Sequence, residues 1–277
     1  MIPIVSANGA QIPALGFGTW PLKGDECIAA VSAALDAGYR HIDTATMYAN
    51  EREVGEAIRN HAVPRGEIFL TTKVWHTDLA HDAMIASTEA SLAHLGVDQV
   101  DLLLIHWPNS EMPVAEQLGN LCDAKRRGLA RHIGVSNFPS RMVDEAVIAA
   151  GAADEQLVAN QVEYHPFLGQ SAVLAACRRH GLALTAYSPI ARGKVSDSPV
   201  IQAIAKDKGK SETQIALRWL IQQSGVVAIP KSTDPARIRA NIAVTDFVLT
   251  DEEMARISAL GGRDGRRGDF DGSPDWD

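Results

Sequence analysis

Four residues of types suited to proton transfer stand out: Asp43, Tyr48, Lys73 and His106. A phenol ordinarily loses its proton near pH 10. A neighbouring ammonium stabilises the phenolate and pulls that value down. Lys73 beside Tyr48 would therefore make the phenol a useful proton donor and acceptor near neutral pH. A buried lysine needs a counter-ion, and Asp43 can supply it. His106 can hydrogen-bond a carbonyl oxygen and orient it. The set has neither a metal constellation nor an activated serine or cysteine. It suits proton transfer to an oxygen coupled to hydride delivery from a cofactor. Taken singly, each residue reads more readily as a strand-end ion pair or a helix cap. Chemical weight comes from bringing them together.

The elements that must do this are legible as alternating patterns. Short apolar runs at 14–17, 40–43, 68–73, 100–106, 132–136, 158–162, 183–187 and 226–230 read as strands. Amphipathic stretches at 25–37, 50–60, 81–95, 114–127 and 171–180 read as helices, several closed by a glycine that takes the left-handed cap cheaply. Strict alternation implies a parallel sheet with helical crossovers. Eight such units fit a closed (β/α)8 barrel of roughly 250 residues. An open doubly wound sheet is the alternative. Gly16-Phe-Gly18 has only the first two glycines of a dinucleotide fingerprint, and no phosphate-binding loop motif occurs. Residues 1–13 read as a hairpin around Asn8-Gly9, an extra helix falls at 211–223, and 261–277 reads as a loop. No repeat or linker divides the chain, so 1–277 is expected to be one domain.

In such a barrel, reactive groups sit at the C-terminal ends of the strands. Here the runs end in Asp43, Lys73, His106, Ser136-Asn137, Gln161 with Glu163, Tyr187-Ser188 and Lys231-Ser232, and Tyr48 follows the second run by five residues.

Composition narrows the class. The 277 residues carry 34 acidic and 26 basic side chains, a formal charge of −8, which argues against a general nucleic-acid or membrane-surface binder. Hydrophobic residues make up 46%, too many for a disordered chain. Cys27, Cys122 and Cys177 are widely spaced and form no CxxC, which points to a reducing compartment. The N-terminus lacks a signal-peptide pattern and no run approaches a membrane span, so a soluble cytoplasmic protein is expected. Arg267-Gly268-Asp269 is read as chance rather than an adhesion motif.

At these residues the sequence resembles the aldo-keto reductase family, and within it the compact bacterial type that includes 2,5-diketo-D-gluconate and methylglyoxal reductases. The likeness runs from the hairpin to about Leu260. It is carried by Leu15-Gly-Phe-Gly-Thr-Trp20, Ala37-Gly-Tyr-Arg-His-Ile-Asp-Thr-Ala45, Tyr48, Thr71-Thr-Lys73, Asp101-Leu-Leu-Leu-Ile-His-Trp-Pro108, Ile133-Gly-Val-Ser-Asn-Phe138, Asn160-Gln-Val-Glu-Tyr-His-Pro166 and Ile229-Pro-Lys-Ser232. The resemblance implies a (β/α)8 barrel that binds NADPH without a Rossmann domain. It implies the tetrad Asp43, Tyr48, Lys73 and His106, with Tyr48 as general acid, Lys73 and Asp43 lowering its pKa, and His106 aligning the carbonyl. It places the carboxamide on Ser136, Asn137 and Gln161, the nicotinamide ring on Tyr187, and the diphosphate along Ser188, Pro189 and Ile190. Thr19, Trp20 and Asp43 also fall in the implied cofactor site. Lys231, Ser232, Thr233 and Arg237 match the 2′-phosphate site, and Asn241 the adenine side. Trp20, Trp75 and Trp107, with His106, would line the substrate pocket. A monomer acting on small carbonyl compounds is implied.

Two positions depart from the family pattern. Asp234 stands where many relatives carry Thr or Arg, and Ala240 where they carry Glu. Asp234-Pro235 reads as an N-cap and first helical residue. If Asp234 faced the 2′-phosphate instead, it would weaken NADPH preference, although Lys231 and Arg237 remain. The connection at 109–113 is short, which predicts an open, tolerant pocket. Glu51, Glu53, Glu56, His76 and His81 read as solvated positions. The rival functions are a non-catalytic NADPH-binding scaffold or sensor, and a barrel hydrolase or isomerase, which would need a second rim carboxylate besides Glu163.

Overall fold

The computed structural model describes residues 2–269 and 272–277. Met1 of the expected hairpin and Phe270 and Asp271 of the expected loop lie outside the described residues. β1 (Ile4–Ala7) and β2 (Ala10–Pro13) pair antiparallel through Asn8 and Gly9, both at positive φ. The barrel strands and helices then alternate. They are β3 (Phe17–Gly18), α1 (Gly24–Asp36), β4 (His41–Asp43), α2 (Glu51–Asn60), β5 (Phe69–Val74), α3 (His81–Leu95), β6 (Val100–Ile105), α4 (Val114–Arg126), β7 (Ala130–Ser136), α5 (Ser140–Ala152), β8 (Leu157–Glu163), α6 (Ser171–Arg179) and β9 (Ala183–Tyr187). Two helices, α7 (Pro199–Lys208) and α8 (Glu212–Ile221), precede β10 (Val226–Ala228), and α9 (Pro235–Ile242) and α10 (Asp251–Ser258) follow it.

The eight strands β3 to β10 lie parallel and in sequence order. Leu15 bridges to Ala228, and Gly18 N–H donates to the Pro230 carbonyl at 3.0 Å, joining first strand to last. The chain thus has the (β/α)8 architecture with an N-terminal hairpin and extra helices late in the chain. The first barrel strand differs from the expected 14–17. Residues 14–16 pair with β10, and only Phe17 and Gly18 pair with β4. A Cβ on Gly16 would stand 2.6 Å from the buried His41 ring, so only glycine fits where this stretch passes β4.

β6 shows why its apolar run was continuous. Its alternate residues serve two cores, as expected for a strand buried on both faces. Leu103 and Ile105 pack outward under the helices, whereas Leu102 and Leu104 face the lumen. There they join Val158, Ala159, Ala183 and Val227, and the hairpin residues Ala7, Ala10 and Ile12 pack in the same cluster. The lumen is therefore filled from the hairpin side, leaving the strand C-terminal ends for polar groups. Cys27, Cys122 and Cys177 are buried free thiols, and burial pushes the first two up to about 12 and about 11. Among the described residues, no helix is long and apolar enough to cross a membrane.

Candidate active site

The ends of β4 and β5 bring a carboxylate and an ammonium together inside the barrel. Lys73 is fully buried, and its Nζ donates to Asp43 Oδ1 at 2.5 Å, to the Thr44 carbonyl at 2.8 Å and to Tyr48 Oη at 3.2 Å. All three ammonium donors are thereby used. The second Asp43 oxygen accepts from Gln161 Nε2 at 2.7 Å, so β8 braces the pair from across the barrel. Tyr48 arrives on a single 3-10 turn, Thr46–Tyr48, which Thr46 Oγ1 ties to the Lys73 carbonyl at 3.1 Å. Asn50 pins the same connection: its amide donates to the carbonyls of Thr19 and Leu22 and accepts from Thr44 Oγ1.

His106, just beyond β6, is buried and stands edge-on to Tyr48 at 5.5 Å and to Trp75 at 5.1 Å. Its carbonyl accepts from Asn137 Nδ2 at 2.9 Å. Burial, with the nearby Lys73 charge and His76, holds the His106 imidazole well below its ordinary pKa. It is neutral at pH 7 and fit to share a hydrogen bond with an oxygen rather than to carry charge.

Burial works against the Lys73 charge, but Asp43 and the Tyr48 oxygen outweigh it and hold the ammonium above its ordinary value. For Tyr48 the sequence expectation of a lowered pKa is corrected. Burial raises the phenol above its ordinary value, Lys73 opposes the rise, and Asp43 adds to it. The structure therefore holds a protonated phenol at neutral pH, which is the form a proton donor requires.

The other rim residues assemble beside this cluster. Ser136 Oγ donates to the Gln161 carbonyl at 2.7 Å, Tyr187 Oη donates to Asn137 Oδ1 at 2.9 Å, and Asn137 itself sits at positive φ. Thr19 Oγ1 donates to the Asp43 carbonyl at 3.0 Å. Trp20 is exposed at the rim, with the Arg192 guanidinium 5.8 Å from its ring, whereas Trp107 is buried. Ser188 and Ile190 are half-buried beyond β9, and Pro189 between them is buried.

Beyond β10, Lys231 and Thr233 are exposed, Ser232 is half-buried and Asn241 is buried on α9. Asp234 caps α9, accepting from the Ala236 N–H at 2.8 Å. Its other oxygen lies 3.6 Å from Arg237 Nε, so it also offsets part of that charge. Lys231 forms no ion pair among the described residues. A lysine without a carboxylate partner, beside hydroxyls and the start of a helix, is a donor set suited to a phosphate.

One expectation about solvated glutamates fails. Glu51 is 4% exposed, with Oε1 accepting from Thr72 Oγ1 at 2.5 Å and Oε2 3.7 Å from His94. The start of α2 tucks against β5, so this carboxylate is structural. A cleft of about 400 Å³ elsewhere on the molecule involves Arg40, Glu67, Asp101 and Arg131. Those charges are already paired with one another, at 3.8 and 3.5 Å.

Residues 14–261 match the aldo/keto reductase family model. The chain belongs to the aldo/keto reductase family. Methylglyoxal reductase DkgB of Escherichia coli O157:H7 is 40% identical over 268 residues, covering 96% of this chain and 99% of that protein. The 9,11-endoperoxide prostaglandin H2 reductase of Trypanosoma cruzi is 42% identical over 259 residues, covering 91% of this chain and 89% of that one. A crystal structure named provisionally as a 2,5-diketo-D-gluconic acid reductase B superposes with a TM-score of 0.97 at 47% identity, covering 100% of this chain and 98% of the other. As an aldo/keto reductase, the chain is an oxidoreductase of a family that uses nicotinamide cofactors.

The buried titratable groups make a stability prediction. His106 and His41 are both held below their ordinary value of 6.5, in each case first by burial. Below pH 6.5 the unfolded chain binds protons that the folded chain refuses, so stability must fall as pH falls. The melting temperature at pH 5 is expected to lie on the order of 5 °C below that at pH 7.5. An equal or higher value at pH 5 would contradict the burial of neutral imidazoles.

Proposed function

We propose that this chain reduces aldehydes and ketones to alcohols with NADPH as the reductant. The observation that carries the reading is the reach of one buried ammonium to both Asp43 and the Tyr48 hydroxyl, with a neutral His106 alongside. Bound reduced nicotinamide would supply a hydride to the carbonyl carbon. Tyr48 gives its hydroxyl proton to the carbonyl oxygen as that oxygen gains charge. Lys73 stabilises the phenolate left behind, and Asp43, braced by Gln161, keeps Lys73 charged and in place. Neutral His106 holds the carbonyl oxygen by a hydrogen bond.

Ser136, Asn137 and Gln161 would hold the carboxamide, Tyr187 would offer a ring face to the nicotinamide, and Ser188, Pro189 and Ile190 would line the diphosphate. Thr19 and Trp20 flank the same cleft. Lys231, Ser232, Thr233 and Arg237 would hold the 2′-phosphate, and Asn241 would serve the adenine side. Trp20, Trp75 and Trp107 wall the substrate pocket. The connection after β6 is a short turn, tied down by Asn109 Nδ2 to the His76 carbonyl at 3.0 Å and by Gln117. A short turn there supports an open pocket for small carbonyl compounds. The name of the Escherichia coli relative supports 2-oxoaldehydes, and that of the structural neighbour supports keto sugar acids.

The test is a steady-state panel of methylglyoxal, a nitrobenzaldehyde and keto sugars with each cofactor. NADPH should be consumed, with kcat/KM above that for NADH. Asp234→Ser keeps a capping oxygen and removes the carboxylate beside Arg237, so it should widen that preference about threefold. Equal kcat/KM for the two cofactors in the parent enzyme would refute the 2′-phosphate assignment.

A further inference from the structure

Glu163, the last residue of β8, has no part in the chemistry above, yet it is fully buried. Its Oε1 accepts from His165 Nε2 and the Arg267 N–H, both at 3.0 Å. Its Oε2 accepts from the Arg267 N–H at 3.0 Å and the Gly268 N–H at 2.7 Å. The Phe167 N–H donates to His165 Nδ1 at 3.2 Å, which leaves the imidazole proton on Nε2, aimed at Glu163. Every group around this carboxylate is thus a donor. Burial disfavours its charge, but these donors prevail and hold it below the ordinary carboxyl value.

The stretch so held begins where the family match ends, at residue 261. Gly268 lies against the rim: a Cβ there would stand 3.2 Å from Tyr187 Oη and 3.3 Å from Glu163 Oε2. Next to it, the Arg266 guanidinium stacks 3.4 Å over the Trp276 ring. Trp276 in turn packs edge-on to Trp107 at 5.9 Å, and Trp107 directly follows His106. Beyond it the Asp277 carboxylate accepts from Ser140 N–H at 2.8 Å and Ser140 Oγ at 2.5 Å, at the start of α5.

We propose that Glu163 is a positioning residue for substrate: by fastening Arg267 and Gly268 across the end of β8, it holds Trp276 against Trp107 and sets one wall of the pocket. The proposal rests on the reductase reading, because it needs Trp107 to face substrate. A glutamine cannot replace this carboxylate. Its one oxygen can serve the backbone N–H groups, but its amide would then present hydrogens to the His165 N–H.

Glu163→Gln tests it, with Gly268→Pro as a second variant that removes the shortest donor and is read by exchange alone, because its ring also crowds Tyr187 Oη and Glu163 Oε2. Two readouts are needed: hydrogen exchange of peptides covering 264–277, and steady-state kinetics with a nitrobenzaldehyde. Exchange in that segment should speed up in both variants. In Glu163→Gln, KM for the aromatic aldehyde should rise about tenfold, as expected when charge assistance on two hydrogen bonds is lost, with kcat nearly unchanged. Unchanged exchange would overturn the fastening. A fall in kcat at constant KM would overturn the positioning role. Absence of turnover in the parent would sink the reductase reading instead, and the exchange result would still decide the fastening.

Discussion

Tyr48→Phe is expected to lower kcat for carbonyl reduction by about 10³-fold while leaving NADPH affinity largely intact. The substitution deletes the hydroxyl that accepts from Lys73 Nζ and little else. The ring keeps its edge contact with His106, and Lys73 keeps Asp43 and the Thr44 carbonyl as acceptors. Fold and cofactor site should therefore persist, and the loss should fall on the proton-transfer step. Single-turnover and steady-state rates with methylglyoxal, together with a fluorescence titration of NADPH, check this. A variant within tenfold of the parent kcat would mean that another group donates the proton.

The largest stability loss is expected from Lys73→Met. It leaves the buried Asp43 with one neutral donor, Gln161, and no counter-charge. Breaking a buried ion pair from one side costs about 3–5 kcal/mol, which in a chain of this size lowers the melting temperature by roughly 10 °C. Activity should fall with it, because the phenolate loses its stabilising charge. Adding Asp43→Asn removes the stranded charge. The double variant should regain much of the lost stability and none of the activity. Thermal unfolding of the three proteins decides the matter: a double variant less stable than Lys73→Met alone would show that the pair is not the source of the effect.

Much of this site could be read from the chain because parallel strands in a barrel end on one rim. The residues that close the apolar runs at Asp43, Lys73, His106 and Gln161 therefore had to be neighbours, and they are. The helix at His81–Leu95 was legible to the residue because Gly96 closes it in the left-handed conformation. Asp234-Pro235 marked a cap that the structure contains.

Burial was harder to see. Glu51 reads as a solvated helix-start residue until α2 is packed on Thr72. The direction of the Tyr48 shift likewise depends on how far the phenol is withdrawn from water, which residue types alone do not encode. Asn50 was missed although its residue type carries a signal: an asparagine directly before a helix is a common N-cap, yet here its side chain makes no cap bond and holds Thr19, Leu22 and Thr44 instead. The contact of Glu163 with Arg267 joins residues 104 positions apart, and no local pattern announces it.

The apolar plug formed by Ile12, Leu102, Leu104, Val158 and Val227 has an electrical consequence. It makes the barrel a one-sided dielectric, poorly polarisable toward the hairpin and open to solvent at the mouth. The field of the Lys73 ammonium is consequently screened least through the interior and meets mobile ions from the mouth side. If the proposed cofactor site holds, added salt should therefore weaken turnover mainly through the exposed cations Lys231 and Arg237 and leave the buried Lys73–Asp43–Tyr48 cluster nearly untouched. In this way a hairpin that packs into the closed end of the barrel helps to set the electrostatic environment of Lys73 and Tyr48.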